Sequence, residues 1–333
     1  MLNLRAPRRP PPPIASQGPP PTSGSGRRRA AARALAAVLA LAALALAARA
    51  EALAVIDPTG RRVAFDAPPR RIVSLVPSVT EILFAIGADD RLAGVTDFCD
   101  YPDAARRKPK VGGMISPSLE TIVALKPDLV IGTNAGSREE TFAQIERLGL
   151  PVYLVNPATV ADVFDLIGRL GALTGREAAA ARLVSDLTAR VEAVAARVGG
   201  LPRPRVLYVL WPDPLIVPGR GALVTELLER AGGRSVTADG GGEPYPRYSL
   251  EAAIARAPEV IILANHGASQ GPMAREKWER FKGLPAIKTG RLYAADGNVM
   301  HRYGPRVVAG LETLARLIHP EAFAAGRPAG ARP

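Results

Sequence analysis

The feature that most constrains this chain is an internal echo. Ser118-Leu119-Glu120-Thr121-Ile122-Val123-Ala124-Leu125-Lys126-Pro127-Asp128-Leu129-Val130-Ile131 returns as Ser249-Leu250-Glu251-Ala252-Ala253-Ile254-Ala255-Arg256-Ala257-Pro258-Glu259-Val260-Ile261-Ile262. Six of the fourteen positions are identical, and the acid after the proline is matched in kind. Each copy reads as a short helix, a proline break and a buried strand. A second echo sets Thr80-Glu81-Ile82-Leu83 against Thr225-Glu226-Leu227-Leu228, each shortly before a glycine. Echoes more than a hundred residues apart imply two lobes of similar build, not a short-period solenoid. Two such lobes leave a cleft between them, a favoured place for a ligand.

The first 54 residues stand outside that pattern. Residues 1–26 are rich in Pro, Gly and Ser, a composition that cannot bury a core. Arg27-Arg28-Arg29 precedes an apolar run from Ala34 to Ala48, and small-x-small patterns follow at Ala48–Ala50 and Ala52–Ala54. Basic, apolar, then small is the layout of a secretory signal peptide, with cleavage after Ala50 or Ala54. An amphipathic or anchoring helix is the alternative, although the run falls short of the roughly 20 residues a membrane span needs. No cysteine lies near the cleavage region, which argues against a lipid anchor. Residues 1–26 are also open to the reading of an over-extended start.

Removing the leader changes the charge argument. Residues 1–50 carry eight Arg and no acid, so the formal +12 of the whole chain falls to +4. A mildly basic mature chain gives no case for nucleic-acid binding. Cys99 is the sole cysteine, so no internal disulfide can form.

The remainder alternates apolar runs with helical stretches, the pattern of parallel α/β layers. First-lobe strands are expected at Ile72–Val76, Leu92–Thr96, Leu129–Thr133 and Val152–Asn156; second-lobe strands at Val206–Leu210, Ile216–Val217, Val260–Ala264 and Leu292–Ala294. Ser78 and Glu81 have capping-box spacing at the start of a helix. Arg176 to Val198 lacks Gly and Pro and predicts one helix of about 35 Å between the lobes. One rigid connector predicts a small change on ligand binding. Gly240–Gly242 and the Pro-containing Glu243–Tyr248 suggest a flexible loop, and Pro305 to His319 a closing amphipathic helix. The domains are therefore expected as a leader over 1–54, an α/β lobe over 55–158, a connecting region over 159–200, a second lobe over 201–320 and a tail over 321–333.

Catalytic signatures are missing: the chain has no GxxxxGK[ST], GxGxxG, HExxH, GxSxG or CxxC. His266, His301 and His319 are too scattered for a metal-ligand pair, which disfavours a zinc- or manganese-type receptor. Open parallel sheets bind ligands at the carboxyl ends of their strands. Those loops offer Pro77-Ser78, Asp97–Pro102 with Phe98 and Tyr101, Gly112-Gly113-Met114-Ile115, Trp211, Tyr245, Tyr248, His266 and Asn298–Tyr303. Aromatic faces from both lobes suit a large flat or macrocyclic ligand. Ordinary roles compete: Phe98 and Tyr101 as packing, Trp211 as a plug on a sheet edge, His301 as a hydrogen-bonded loop residue or a haem or cobalt ligand, Cys99 as a small core residue. Glu120 and Glu251 could merely complement their helix dipoles. Their pseudo-twofold placement favours docking against a twofold partner.

From about Arg71 to Pro320 the chain resembles the periplasmic substrate-binding proteins of iron-siderophore, haem and cobalamin ABC importers. The resemblance rests on Arg71-Ile72-Val73-Ser74-Leu75-Val76-Pro77-Ser78-Val79-Thr80-Glu81, Cys99-Asp100-Tyr101-Pro102, Ser118–Ile131, and Gly304-Pro305-Arg306 leading to Gly310-Leu311-Glu312. It implies two Rossmann-like lobes with parallel sheets joined by one long backbone helix, the class III architecture. It also implies a non-enzymatic, periplasmic, monomeric protein working with an ABC permease dimer and its ATPase subunits. Asp-Tyr-Pro after an aromatic is most similar to the cobalamin binders, with haem or a ferric siderophore as the alternative ligand. By that resemblance Phe98 and Asn298, Val299, Met300, His301 and Arg302 contact ligand, and Glu120 and Glu251 dock the permease. Met114 stands where the cobalamin binders place a Trp, and the second lobe lacks the cysteines of their disulfide. Pro77, Ser78, Tyr101, Met114, Trp211 and Tyr245 complete the expected ligand site. Arg138, Arg247 and Arg302 keep an anionic siderophore open. An enzyme on a nitrogenase-like scaffold would need several Cys ligands; an anchored sensor or adhesin is the other class of alternative.

Overall fold

The computed structural model describes residues 53–57, 60–65, 67–134, 139–240, 242–265 and 271–324. Residues 1–52 of the expected leader, Arg138, Gly241, His266 and the end of the tail lie outside the described residues, whereas Leu53 and Ala54 are described. Two short strands, β1 (Leu53–Ile56) and β2 (Arg62–Phe65), form an antiparallel hairpin that the apolar pattern did not announce. The first lobe continues with β3 (Ile72–Ser74), α1 (Pro77–Ala85), β4 (Leu92–Val95), α2 (Leu119–Ala124), β5 (Leu129–Gly132), α3 (Glu139–Arg147) and β6 (Val152–Leu154). Two long helices follow, α4 (Val160–Thr174) and α5 (Glu177–Val198). The second lobe then runs through β7 (Arg205–Val209), β8 (Trp211–Pro212), β9 (Leu215–Ile216), α6 (Leu223–Arg230), β10 (Arg234–Ser235), α7 (Leu250–Ala255) and β11 (Val260–Asn265). It closes with α8 (Gly271–Glu279), α9 (Pro285–Lys288), β12 (Leu292–Asp296), α10 (Gly297–His301) and α11 (Val307–Ile318).

The two main sheets have the same design. Their strand orders are β4-β3-β5-β6 and β10-β7-β11-β12, with every pairing parallel. This is the expected α/β class with parallel sheets. One expected strand belongs elsewhere: Ile216 pairs antiparallel with Trp211 in a small hairpin, and the edge position is filled by β10, too short to show a period. The 243–248 stretch is tied to that hairpin rather than hanging free, through Tyr248 N–H to Leu215 O (2.9 Å) and Gly219 N–H to Pro244 O (2.8 Å).

The echo has a structural cause. Ser118 and Ser249 cap α2 and α7, their hydroxyls accepting from Thr121 N and Ala252 N. Each helix then breaks at an equivalent left-handed non-glycine residue, Lys126 (φ 47°) and Ala257 (φ 46°). The acid after each proline satisfies the start of a central strand of its parallel sheet, β3 or β7: Asp128 accepts from Arg71 N (2.9 Å) and Glu259 from Arg205 N (2.8 Å). The same arginines turn their Nε–H onto the carbonyls that end the helices, Leu125 and Lys126 in one lobe, Ala257 in the other.

Packing joins the lobes. On β3 and β5, Ile72, Leu129 and Ile131 face one side and Val73 and Val130 the other; on β7 and β11, Val206, Tyr208 and Ile262 oppose Leu207 and Ile261. The inner faces share one continuous core with α1, α4, α5, α6 and α11, whereas each outer face has its own smaller core. The described residues of both lobes accordingly form one compact unit. Helix α5 buries Ala180, Leu187 and Val194 at seven-residue spacing, and Gly171 of α4 admits Ala180 where a Cβ would collide. Arg190 of α5 grips Glu312 of α11 through both carboxylate oxygens (2.9 and 3.1 Å), so the connector is braced on the closing helix. Among the described residues no helix is long and apolar enough to cross a membrane.

Candidate functional site

The carboxyl ends of both parallel sheets open onto one cleft of about 380 Å³. Beneath its first wall lies a small polar knot. The buried Ser74 and Thr80 hydroxyls are 2.9 Å apart, and Thr80 and Thr96 both meet Cys99 Sγ at 3.2 Å. Lys110 Nζ donates to the carbonyls of Thr96 and Cys99 (3.3 and 3.1 Å). Cys99 is thus a packing residue, and the loop it anchors holds Phe98 out into the cleft, 55% exposed. The neighbouring loop is pinned by Asp97 N–H to Gly112 O (3.0 Å) and Ser118 N–H to Val111 O (2.8 Å), with Gly112 at φ +91°. That loop carries Met114. First-lobe lining is completed by Val76, Pro77, Ser78 and Thr133, and by Val155, Asn156 and Pro157 after β6.

The second wall is polar. Asp296 caps α10 by accepting from Asn298 N (2.9 Å), which projects Asn298, His301, Arg302 and Tyr303 at the cleft. Tyr208 of β7 tethers His301, its hydroxyl 3.1 Å from Nε2 and the rings edge to face. Burial pushes the Tyr208 phenol far up, with Asp296 and Tyr303 adding to the shift, so it stays protonated. Tyr245 holds Tyr303 through a short hydroxyl–hydroxyl contact, and burial raises both phenols.

A charge network crosses the base of the cleft. Glu81 of α1, 2% exposed at its side chain, accepts two bonds from Arg306 beside α11 (2.9 and 2.6 Å). Arg302 Nη1 contacts Asp100 and lies 3.8 Å from Glu81, while Nη2 donates to Asn298 Oδ1 at 3.1 Å. Arg306 also covers the Tyr101 ring at 4.0 Å. Burial pushes Glu81 up against the downward pull of Arg306 and Arg302, whereas hydrogen bonding to Arg302 holds Asp100 below the usual carboxylate range. The echoed Glu226 of α6 crosses in the other direction: it accepts from Val160 N at the start of α4 (3.0 Å). Glu81 therefore meets the N-cap residue of α11, and Glu226 the first residue of α4.

Of the residues expected at the ligand, the structure gathers Pro77, Ser78, Phe98, Met114, Asn298, His301 and Arg302 around the cleft. Five expected residues lie outside the lining of the cleft. Met300 is buried in the core, and Val299 lies against Gly310 of α11, because a helical turn sends alternate side chains away from Asn298 and His301. Tyr245 sits behind Tyr303, Tyr101 stacks under Arg306, and Trp211 lies on the β8–β9 hairpin with Nε1–H bonded to Asp213 O (3.0 Å). The expected capping box fails too: Pro77 opens α1 without a side-chain cap, and Glu81 points across the lobes. The working box is Thr159–Asp162 on α4. Thr133 and Val155–Pro157 were missed, although the strand-end rule applied to β5 and β6 would have found them.

Two larger hollows are present: one of about 490 Å³ beside β1 and α4, which adjoins the cleft by sharing Val155, Asn156 and Pro157, and one of about 580 Å³ between Ile115 and Gln144. Among the described residues no three His, Cys, Asp or Glu converge as metal ligands. Glu120 and Glu251 stand exposed in the first turns of α2 and α7; Ser249 Oγ donates to Glu251 (2.7 Å) and lowers its pKa.

A model of the periplasmic binding protein family matches residues 72–299. The vitamin B12-binding protein of Vibrio vulnificus (strain CMCP6) is 30% identical over 249 residues, covering 74% of this chain and 89% of that protein. The crystal structure of the periplasmic vitamin B12-binding protein BtuF of Vibrio cholerae is similar at a TM-score of 0.68 and 27% identity, over 77% of this chain and 99% of that one. The periplasmic haem-binding protein RhuT of Roseiflexus sp. RS-1, in its apo form, is similar at 0.67 and 28%, over 76% and 99%.

Proposed function

The chain belongs to the periplasmic binding protein family, whose members bind substrates for transporters and are not enzymes, and from that premise we propose that it captures a cobalamin-like corrinoid for an ABC importer. The observation that carries the ligand is the asymmetry of the cleft. One wall offers Phe98 and Met114 as apolar surface, and the other offers Asn298, His301 and Tyr303 as hydrogen-bonding groups. A macrocycle with an apolar face and an amide-bearing rim matches both walls, and the 30%-identical vitamin B12-binding relative points the same way. The haem-binding neighbour and the phenol–imidazole cluster on the second wall favour haem as the second reading.

Delivery is assigned to Glu120 and Glu251. Both are exposed, and they occupy equivalent positions on the two echoed helices, so a twofold permease dimer could meet both at once. The leader would export the protein to the periplasm, where it would act as a monomer.

The test is a calorimetric titration of the purified mature protein with cyanocobalamin, beside haemin and a ferric siderophore. One-to-one cobalamin binding that falls about tenfold or more in Phe98→Ala is expected, since stacked aromatics dominate such contacts. Binding of haemin but not cobalamin would replace the ligand. Charge reversal at Glu120 and Glu251 together should abolish uptake by cells while leaving binding intact; unchanged uptake would remove the docking assignment.

A further inference from the structure

The cleft is electrically closed before any ligand arrives. Arg302 is the one Arg, Lys, Asp or Glu among the described residues lining it, and its charge is already engaged. Nη1 rests on Asp100 and faces Glu81 at 3.8 Å, and Nη2 is bonded to Asn298. Glu81 is in turn filled by both arms of its bond to Arg306. Two arginines and two acids balance formally. Arg106 approaches Asp100 only at 3.9 Å, is 61% exposed and is shared with Asp103, so it adds little within the cleft.

An anionic group entering the site would have to displace Asp100 from Arg302, a guanidinium only 14% exposed and therefore poorly served by water. A neutral rim of amides displaces no ion pair: Asn298, His301 and Tyr303 lie beside the arginine on the same wall, held by hydrogen bonds to Arg302, Tyr208 and Tyr245. We propose that Asp100 is a specificity-determining residue: its carboxylate occupies Arg302 in place of a ligand anion and so selects electroneutral, amide-rimmed chelates over carboxylate-bearing ones such as haem. Asp100 lies on the first lobe and Arg302 on the second, so selection and lobe contact use one ion pair. The inference rests on the reading of the cleft as a metal-chelate site but not on the chelate being a corrinoid.

The experiment titrates wild type, Asp100→Asn and the double variant Asp100→Asn/Arg302→Gln with cyanocobalamin, haemin and ferric citrate, at low and moderate salt. Asp100→Asn frees Arg302, and a charge-assisted bond to a ligand carboxylate corresponds to roughly tenfold or more in affinity. The expected result is a gain of that size for haemin or ferric citrate, steeper salt dependence, and a change below about threefold for cobalamin. Arg302→Gln in the double variant should erase the gain. Anion affinity that stays level or falls in a folded Asp100→Asn protein would overturn the proposal, as would a gain that survives loss of Arg302. Thermal melts of each variant identify misfolding; if Asp100→Asn does not fold, Asp100→Ser takes its place in the same comparison. Wild-type preference for haemin would defeat both the corrinoid reading and the selection assigned to Asp100, whereas silence towards cobalamin with weak anion binding that Asp100→Asn strengthens would defeat the corrinoid reading alone.

Discussion

Replacing Glu81 by leucine should destabilise the fold by about 3 kcal/mol, because it strands a guanidinium at the lobe interface. Wild-type Glu81 is 2% exposed and is gripped by Arg306 at 2.9 and 2.6 Å. With the carboxylate gone, Arg302 keeps Asp100, but Arg306 is left with the face of the Tyr101 ring and the charge of Asp296. Breaking a buried pair typically costs about 3–5 kcal/mol; Arg306, 19% exposed, can recover some hydration, which places the effect at the lower end. For a chain of this size that is a fall of roughly 6–12 °C in Tm. The control is Glu312→Leu, which loses an equally bidentate bond from Arg190, but at side chains 37% and 23% exposed. It should cost about 1 kcal/mol or less. Thermal unfolding followed by far-ultraviolet circular dichroism measures all three proteins. The double variant Glu81→Leu/Arg306→Met should recover most of the loss, since replacing both partners removes the unpaired charge. A Glu81→Leu loss no larger than that of Glu312→Leu, or a double variant no more stable than the single, would refute the account.

Three further outcomes follow from the same geometry. A Cβ on Gly304 would lie 3.3 Å from Ser78 Cα and O, so Gly304→Ala should wedge the lobes slightly, costing about 1 kcal/mol and weakening ligand binding in titration. Asp100 and Glu312 are held low by Arg302 and Arg190, so each contributes stability that is present above its unfolded value near about 4 and lost as pH falls through its depressed folded value. Glu81, raised by burial, has the opposite sign: its contribution is present below the unfolded value and fades as pH rises through its folded one. Melting temperature should therefore drop below about pH 4, and Glu312→Gln should flatten that drop. Finally, β1 pairs with β2 along all of Leu53–Ile56, so cleavage after Ala54 would discard half the strand. Intact mass of the exported protein should show Glu51, the residue after Ala50, as its first.

The sequence carried what is written locally. Serine caps, proline breaks and near-continuous apolar runs are decided within a few residues, so the parallel sheets, the connecting helix and the position of Phe98 after β4 were readable in advance. The 14-residue echo was visible as letters; only the fold explains why an acid follows each proline, because the strands whose amides Asp128 and Glu259 satisfy begin more than fifty residues earlier. The cleft was half legible. Strand-end loops named Pro77, Ser78, Phe98 and Met114, but the direction of each side chain on the tight turns around Met300, Tyr245 and Trp211 depends on what packs behind it. The cross-lobe charges were not legible at all. Glu81 looked like a local cap, yet it meets Arg306 across 225 residues, and Asp100 meets Arg302 across 202. Pairing at such separation has no sequence period; it exists only once burial has drawn the two lobes together and left those charges no water to turn to.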